Sequence, residues 1–222
     1  ILAALADRPL DRILVTHTHV DHSPGTVSLQ AATGAEVVGL AAPPARHQDD
    51  TFRPDRLYHD GERLGCGEFT ITLLHTPGHV SNHLCFLLEE EAMLFTGDHV
   101  LQGTTPVILP PDGSMTDYLQ SLERLRSLSL QSMAPGHGTL IRNPGQAIRA
   151  LIRHRLRREQ KVMNALQERR NGFTLEELAV TVYDDVPRHL LALAQKTLLA
   201  HLYKLEIERR AVQADGRWCP RQ

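Results

Sequence analysis

The sequence predicts an α/β fold followed by a small helical domain that ends in a hairpin, and three observations predict it. Ile13-Leu14-Val15, Leu84-Cys85-Phe86-Leu87-Leu88 and Ala92-Met93-Leu94-Phe95 are apolar runs of strand length that lead into polar or Gly-containing turns. Thr26 to Ala32 and Met115 to Leu128 alternate with them as helical segments. The charge then changes sign near Arg142: residues 1–141 carry 8 Lys/Arg against 17 Asp/Glu, net −9, whereas 142–222 carry 16 against 9, net +7. Two blocks of opposite sign read as two domains.

In chain order, Ile1 to Ala6 reads as the end of a helix and Ile13-Leu14-Val15 as the first strand. The helix from Thr26 and the strand Glu36-Val37-Val38-Gly39-Leu40 complete a βα unit, and the Pro-, Asp- and Arg-rich stretch 41–56 is loop. Phe69 to Leu74, Leu84 to Leu88 and Ala92 to Phe95 follow as sheet strands. After the turn Pro110-Pro111-Asp112-Gly113, Tyr118, Leu119, Leu122 and Leu125 set an apolar stripe on the helix that begins at Met115. A long helix spans Gln146 to Arg170 and stops at Asn171-Gly172, and Thr174 with Glu177 spells a capping box for a short helix. Beyond Asp184-Asp185-Val186-Pro187, a third helix runs from His189 to Glu208, and Ala211-Val212-Gln213 and Arg217-Trp218 flank an Asp215-Gly216 hairpin turn. Three helices and a hairpin describe a winged helix. The predicted division is 1–143 for the α/β domain, 144–170 for a basic connecting helix and 171–222 for the winged helix.

With 222 residues, 41% hydrophobic content and a formal net charge of −2, the chain can bury a real core. No apolar stretch approaches the roughly 18 residues of a membrane helix, so no membrane partner is expected. Cys66, Cys85 and Cys219 are odd in number and widely spaced, the pattern of reduced thiols and hence of a cytoplasmic location.

Four turns concentrate the chemistry. Thr16-His17-Thr18-His19-Val20-Asp21-His22 crowds three imidazoles and a carboxylate directly behind a buried strand. Thr76-Pro77-Gly78-His79, Phe95-Thr96-Gly97-Asp98 and Pro135-Gly136-His137-Gly138 each add one more ligand after an apolar segment. Strand ends are where open α/β sheets place their chemistry. Imidazole nitrogen and carboxylate oxygen suit Zn²⁺, and also Fe or Mn. Together the four turns make a two-metal site, and His83 is spaced to reach the same cavity. His47, His59, His75 and His99 read as surface or supporting residues.

In these motifs, their order and their spacing, the sequence resembles the metallo-beta-lactamase superfamily of binuclear metallohydrolases, whose fold is an αββα sandwich. The resemblance implies that His17, His19 and His79 hold one divalent metal ion, that Asp21, His22 and His137 hold another, and that Asp98 bridges them. Zinc is the first expectation, with iron or manganese as alternatives. Asp21 is placed to orient the attacking water or take its proton, and His83 and a metal-bound water are the candidates for the leaving-group acid. The family sets several strands before its first motif, which here lies about fifteen residues from Ile1, so the N-terminal strands of the sandwich and any targeting segment are expected to be missing.

The order of α/β domain, basic helix and winged helix resembles the beta-lactamase-like protein 2 branch, whose mitochondrial members are endoribonucleases acting on single-stranded RNA. Gly103-Thr104-Thr105, Asp117-Tyr118-Leu119-Gln120-Ser121-Leu122 and Lys204-Leu205-Glu206 add to the match, and Ser114 departs from it where an acidic residue is expected. The reading that follows is a binuclear metal-dependent phosphodiesterase. Arg153, Arg155, Arg157, Arg158 and Lys161 then supply the basic footprint for single-stranded RNA. The alternative is a small-molecule thioester, ester or lactone hydrolase of the glyoxalase II type. Only 38 residues separate Asp98 from His137, too few for the inserted domain of beta-CASP nucleases. Asp98 stands where many β-lactam-cleaving relatives carry Cys, which disfavours a β-lactam substrate.

Overall fold

The structure is a computed structural model that describes every residue except Asp7, Arg170 and Gln222. A short helix, α1 (Leu2–Leu5), leads to β1 (Arg12–Leu14), which pairs in parallel with β2 (Glu36–Val38) through the crossover helix α2 (Gly25–Thr33). A second sheet follows with the order β3 (Arg63–Cys66), β4 (Phe69–His75), β5 (Leu84–Leu88), β6 (Met93–Gly97) and β7 (Ser132–Pro135), antiparallel except for the last pair. The helices α3 (Met115–Arg126) and α4 (Pro144–Glu168) pack against it.

Alternation along the strands sets the layers, because neighbouring residues point to opposite faces. Ile71, Leu73, Leu84 and Phe86 turn toward Val38, Leu14 and Tyr58 of the first sheet region. Leu74, Cys85 and Leu94 turn the other way, onto Tyr118, Leu122 and Leu125 of α3 and Ile148 and Leu151 of α4. Val15, Val37 and Phe52 form a separate small cluster, and α2 packs against β2. Two sheets face to face with helices outside give the expected sandwich. Ser114 acquires a local reason, since its side chain accepts a hydrogen bond from the Asp117 N–H at 3.3 Å and caps α3.

β3 and β7 were not foreseen. Arg63-Leu64-Gly65-Cys66 has one fully buried apolar side chain, Leu64, and Ser132-Met133-Ala134-Pro135 has Met133 alone. One inward residue is too little for alternation to register in a sequence; pairing with β4 and β6 is what makes these segments strands.

In the C-terminal part, α4 begins two residues before its predicted start, and its predicted end at Arg170 lies outside the described residues. The capping box forms as predicted, with Glu177 N–H donating to Thr174 Oγ1 at 3.2 Å and Thr174 N–H to Glu177 Oε2 at 3.0 Å. It starts α5 (Leu175–Val182); a single 3₁₀ turn, Arg188–Leu190, leads into α6 (Leu191–Ile207). β8 (Ala211–Ala214) and β9 (Arg217–Pro220) meet at Asp215 (φ 48) and Gly216 (φ 72), the pair of left-handed residues a two-residue hairpin needs. Trp218 closes the hairpin onto Val162, Leu166, Leu202 and Leu205. Ala200 of α6 belongs to the core cluster of α3, so the winged helix is docked on the first domain. No helix among the described residues is long and apolar enough to cross a membrane.

The basic stretch of α4 is not the uniform surface its composition suggested. Arg155 is buried, donates to the Pro106 carbonyl and lies over the Tyr118 ring at 5.3 Å. Arg158 is buried too; it grips both oxygens of Asp185 at 2.8 and 3.1 Å, donates to the Val182 carbonyl at 2.5 Å and covers the Tyr183 ring at 4.2 Å. Lys161 pairs with Asp184 at 2.7 Å. Arg153 and Arg157 are exposed, with neither a hydrogen-bond nor an ion-pair partner among the described residues.

Candidate metal centre

Four loops deliver seven side chains to one place. The loop after β1 carries His17 to His22, His79 follows β4, Asp98 follows β6 and His137 follows β7. His17 Nε2 and His79 Nε2 each lie 3.1 Å from His19 Nδ1. Nearby, Asp21 Oδ2 is 3.6 Å from His22 Nε2 and 3.4 Å from His137 Nε2. Asp98 stands between the two groups: Oδ1 is 3.5 Å from His22 Nε2 and 3.6 Å from His137 Nε2, while Oδ2 is 3.9 Å from His79 Nε2.

The arrangement fits divalent cations. His79 donates its Nδ1 proton to the Val107 carbonyl at 2.7 Å, which leaves Nε2 as a bare acceptor aimed into the first group, the way a metal-binding imidazole is usually held. His22 Nε2 and Asp98 Oδ1 are buried with no hydrogen-bond partner. Orphaned atoms of this kind are costly, and a cation between them would satisfy both. The donors are all nitrogen and oxygen, a set suited to zinc, iron or manganese.

Protonation follows burial and charge. Burial pushes His17 and His79 below the ordinary imidazole range and His19 down to about 4, with the surrounding imidazoles adding to the effect on His17 and His19. Neutral rings are the ones that can ligate. Burial also opposes a charge on His22, yet Asp98 and Asp21 outweigh it and raise His22 above its usual value. Asp98 is held below the usual carboxylate range: burial works against its charge, but the contact with His22 prevails, supported by His79 and His137. The second group therefore attracts positive charge.

His83 lies in the interior. Its ring is 0% exposed, stacked 5.2 Å from His17, with Nδ1 2.9 Å from Thr76 Oγ1. Enclosed in this way, the ring lies against His17 and away from solvent. Asp21, with its side chain 59% exposed, does reach solvent. His99 is buried as well, between His83 and Tyr118 at 5.6 and 4.8 Å. Thr16 and Asn82 look like ordinary turn residues in the sequence. Thr16 Oγ1 shares a hydrogen bond with His17 Nδ1 at 3.1 Å, and Asn82 Nδ2 donates to Thr18 Oγ1 at 2.7 Å and to the Ala41 carbonyl at 3.1 Å, tying the first loop to the exit of β2. Two glycines allow the close approach: a Cβ on Gly136 would lie 2.8 Å from Asp98 Oδ1, and one on Gly78 (φ +141°) would lie 2.3 Å from Tyr118 Cα.

Comparison with known proteins accounts for both domains. The metallo-beta-lactamase superfamily profile matches residues 1–137, and that of the beta-lactamase-associated winged-helix domain matches residues 174–218. The chain belongs to the metallo-beta-lactamase superfamily. It is 33% identical over 208 residues to the lactamase-like protein vrtG of Penicillium aethiopicum, covering 90% of this chain and 64% of that protein. It is 36% identical over 167 residues to an atrochrysone carboxyl ACP thioesterase of Aspergillus fumigatus, covering 75% of this chain and 50% of that one. The chain thus spans between half and two thirds of the length of these two curated relatives. A crystal structure of a beta-lactamase domain protein from Burkholderia ambifaria superposes with a TM-score of 0.80 at 21% identity over 98% of this chain and 77% of that one, a likeness of fold. These relatives do not single out the endoribonuclease-like branch that the sequence motifs suggested.

Proposed function

We propose that the chain is a metal-dependent hydrolase of small-molecule thioesters, with two divalent ions, zinc first, held by His17, His19 and His79 and by Asp21, His22 and His137, and with Asp98 between them. The observation that carries this reading is the convergence of seven imidazole and carboxylate donors from four loops. The choice of thioester over RNA rests on the relative named as a thioesterase and on the internal engagement of Arg155, Arg158 and Lys161. It reverses the order in which the sequence alone ranked the two.

A divalent ion held there, when bound, polarises a carbonyl oxygen and lowers the pKa of water toward about 7. Asp21, exposed beside His137, orients the attacking water and accepts its proton. Water adds to the thioester carbon, the C–S bond breaks, and the sulfur leaves as thiolate. Free thiols ionise near about pH 8.5, so this leaving group needs little protonation and the burial of His83 costs the reaction nothing. An RNA alkoxide depends more on an acid, and the His83 ring is buried away from solvent.

The RNA reading keeps one specific support: Arg153, His154 and Arg157 face Thr104 and Thr105 across an open groove of about 560 Å³. Thiol release from an N-acetylcysteamine acyl thioester, run beside cleavage of a fluorescent RNA oligomer, separates the two. Thioester turnover with intact RNA is the expected result; RNA cleavage with an intact thioester would restore the nuclease.

A further inference from the structure

A cavity of about 450 Å³ opens directly beside His19 and His79, within the range of small-ligand sites. Its wall is built by both domains. Leu109 and its neighbours come from the first, while Leu199 and Lys196 come from α6 of the winged helix. Lys196, Leu199 and Ala200 share one helix face, at i, i+3 and i+4. Ala200 is buried in the core with Tyr118 and Met115, so docking of α6 aims Lys196 and Leu199 into the cavity.

The charges on that wall are unequal. Arg46, from the loop after β2, and Lys196 both line it, and neither has an ion-pair partner among the described residues. The carboxylate in the wall, Asp112, is already engaged, its Oδ1 accepting from the Ser81 N–H and its Oδ2 from Gln48 Nε2, both at 3.3 Å. An apolar body with one end at the metal centre and two uncommitted cations above it fits a substrate that is itself apolar with a distal negative group.

We infer that this cavity is the substrate-recognition site and that Arg46 and Lys196 select thioesters carrying an anionic group, a carboxylate on the acyl part or a phosphate on the thiol part. The winged helix is then a specificity element of the hydrolase. The inference rests on the thioesterase reading and deepens it. Arg46 and Lys196 are exposed, so the selection they give is about tenfold, the scale of a solvent-accessible charge pair and well short of a sealed one.

The test compares isosteric substrates: 4-carboxybenzoyl against 4-carbamoylbenzoyl N-acetylcysteamine thioester for an acyl anion, and benzoyl phosphopantetheine against benzoyl pantetheine for a thiol-side anion. A preference of about tenfold in kcat/KM, expressed in KM, is expected in one pair. It should fall toward one in the Arg46→Gln/Lys196→Gln double variant and persist in Lys196→Arg. The ratio does not depend on how much of a variant is folded. Which pair shows it tells carboxylate from phosphate. No preference in either pair, or one that survives the double variant, overturns the inference. If no thioester is hydrolysed at all, the thioesterase reading fails separately. Calorimetry with terephthalate against terephthalamate then decides the site: weaker terephthalate binding in the double variant sustains it, and equal binding or none rejects it.

Discussion

The metal centre and the basic helix α4 are both dense runs of chemically loud residues, yet the fold treats them in opposite ways. Every member of the His/Asp set is brought to one place by four strand-end loops. The cations of α4 are divided: Arg155 and Arg158 point into the protein, Lys161 pairs with Asp184, and Arg153 and Arg157 stay outside. Crowded imidazoles and carboxylates have few structural uses in a tight turn, so their clustering is informative. An arginine on an amphipathic helix can as easily hold a carbonyl from inside, and counting charges does not separate the two.

The largest expected effect breaks the first half of that comparison. Asp98→Ala or His79→Ala should lower kcat/KM by well over the roughly 10–100-fold typical of residues that only support a ligand, and metal content should fall with it. Atomic emission on the purified variants checks the second point. His83→Asn should stay within about 10–100-fold with metal retained, since the ring steadies His17 from behind. A His83 variant as inactive as Asp98→Ala would return His83 to the chemistry.

The remaining predictions sharpen the second half. Arg158→Ala should destabilise the fold by about 1–3 kcal/mol, because the buried Val182 carbonyl loses its donor. Glu159 gives a pH signature. Burial opposes its charge, but His201 and Lys204 hold it down to about 2. Lys204 at 2.8 Å dominates, because His201 is itself kept neutral by burial and its nitrogen lies 3.7 Å away. A carboxyl whose folded pKa is depressed stabilises the fold above its unfolded value, so this contribution should be lost as pH falls from about 4.5 to about 2. Glu159→Gln should flatten that part of the stability profile in denaturant melts. Arg153→Gln with Arg157→Gln should change stability by less than about 0.5 kcal/mol, as expected of surface positions. A double variant as destabilised as Arg158→Ala would abolish the contrast between the two faces.

Much of this was legible in the sequence, for definite reasons. The motif histidines, the capping box at Thr174 and Glu177 and the Asp215-Gly216 turn each depend on local spacing, which a sequence displays. The inner face of α4 was legible in part: Arg155 and Arg158 fall in step with Leu151, Ile152 and Val162, and that register marks them as buried. β3 and β7 were not, because partner strands define them. Nor were Asn82 and Lys196, whose importance arises from residues between about 40 and 180 positions away in the chain being brought together, as a docked fold does.

The most direct measurement is thiol release from an acyl thioester while a divalent metal is titrated into metal-free protein. Turnover should rise to a plateau at about two ions per chain, with Asp98→Ala showing little turnover at the same metal concentration. A chain that binds two ions, releases no thiol from any thioester and cleaves RNA would contradict the account.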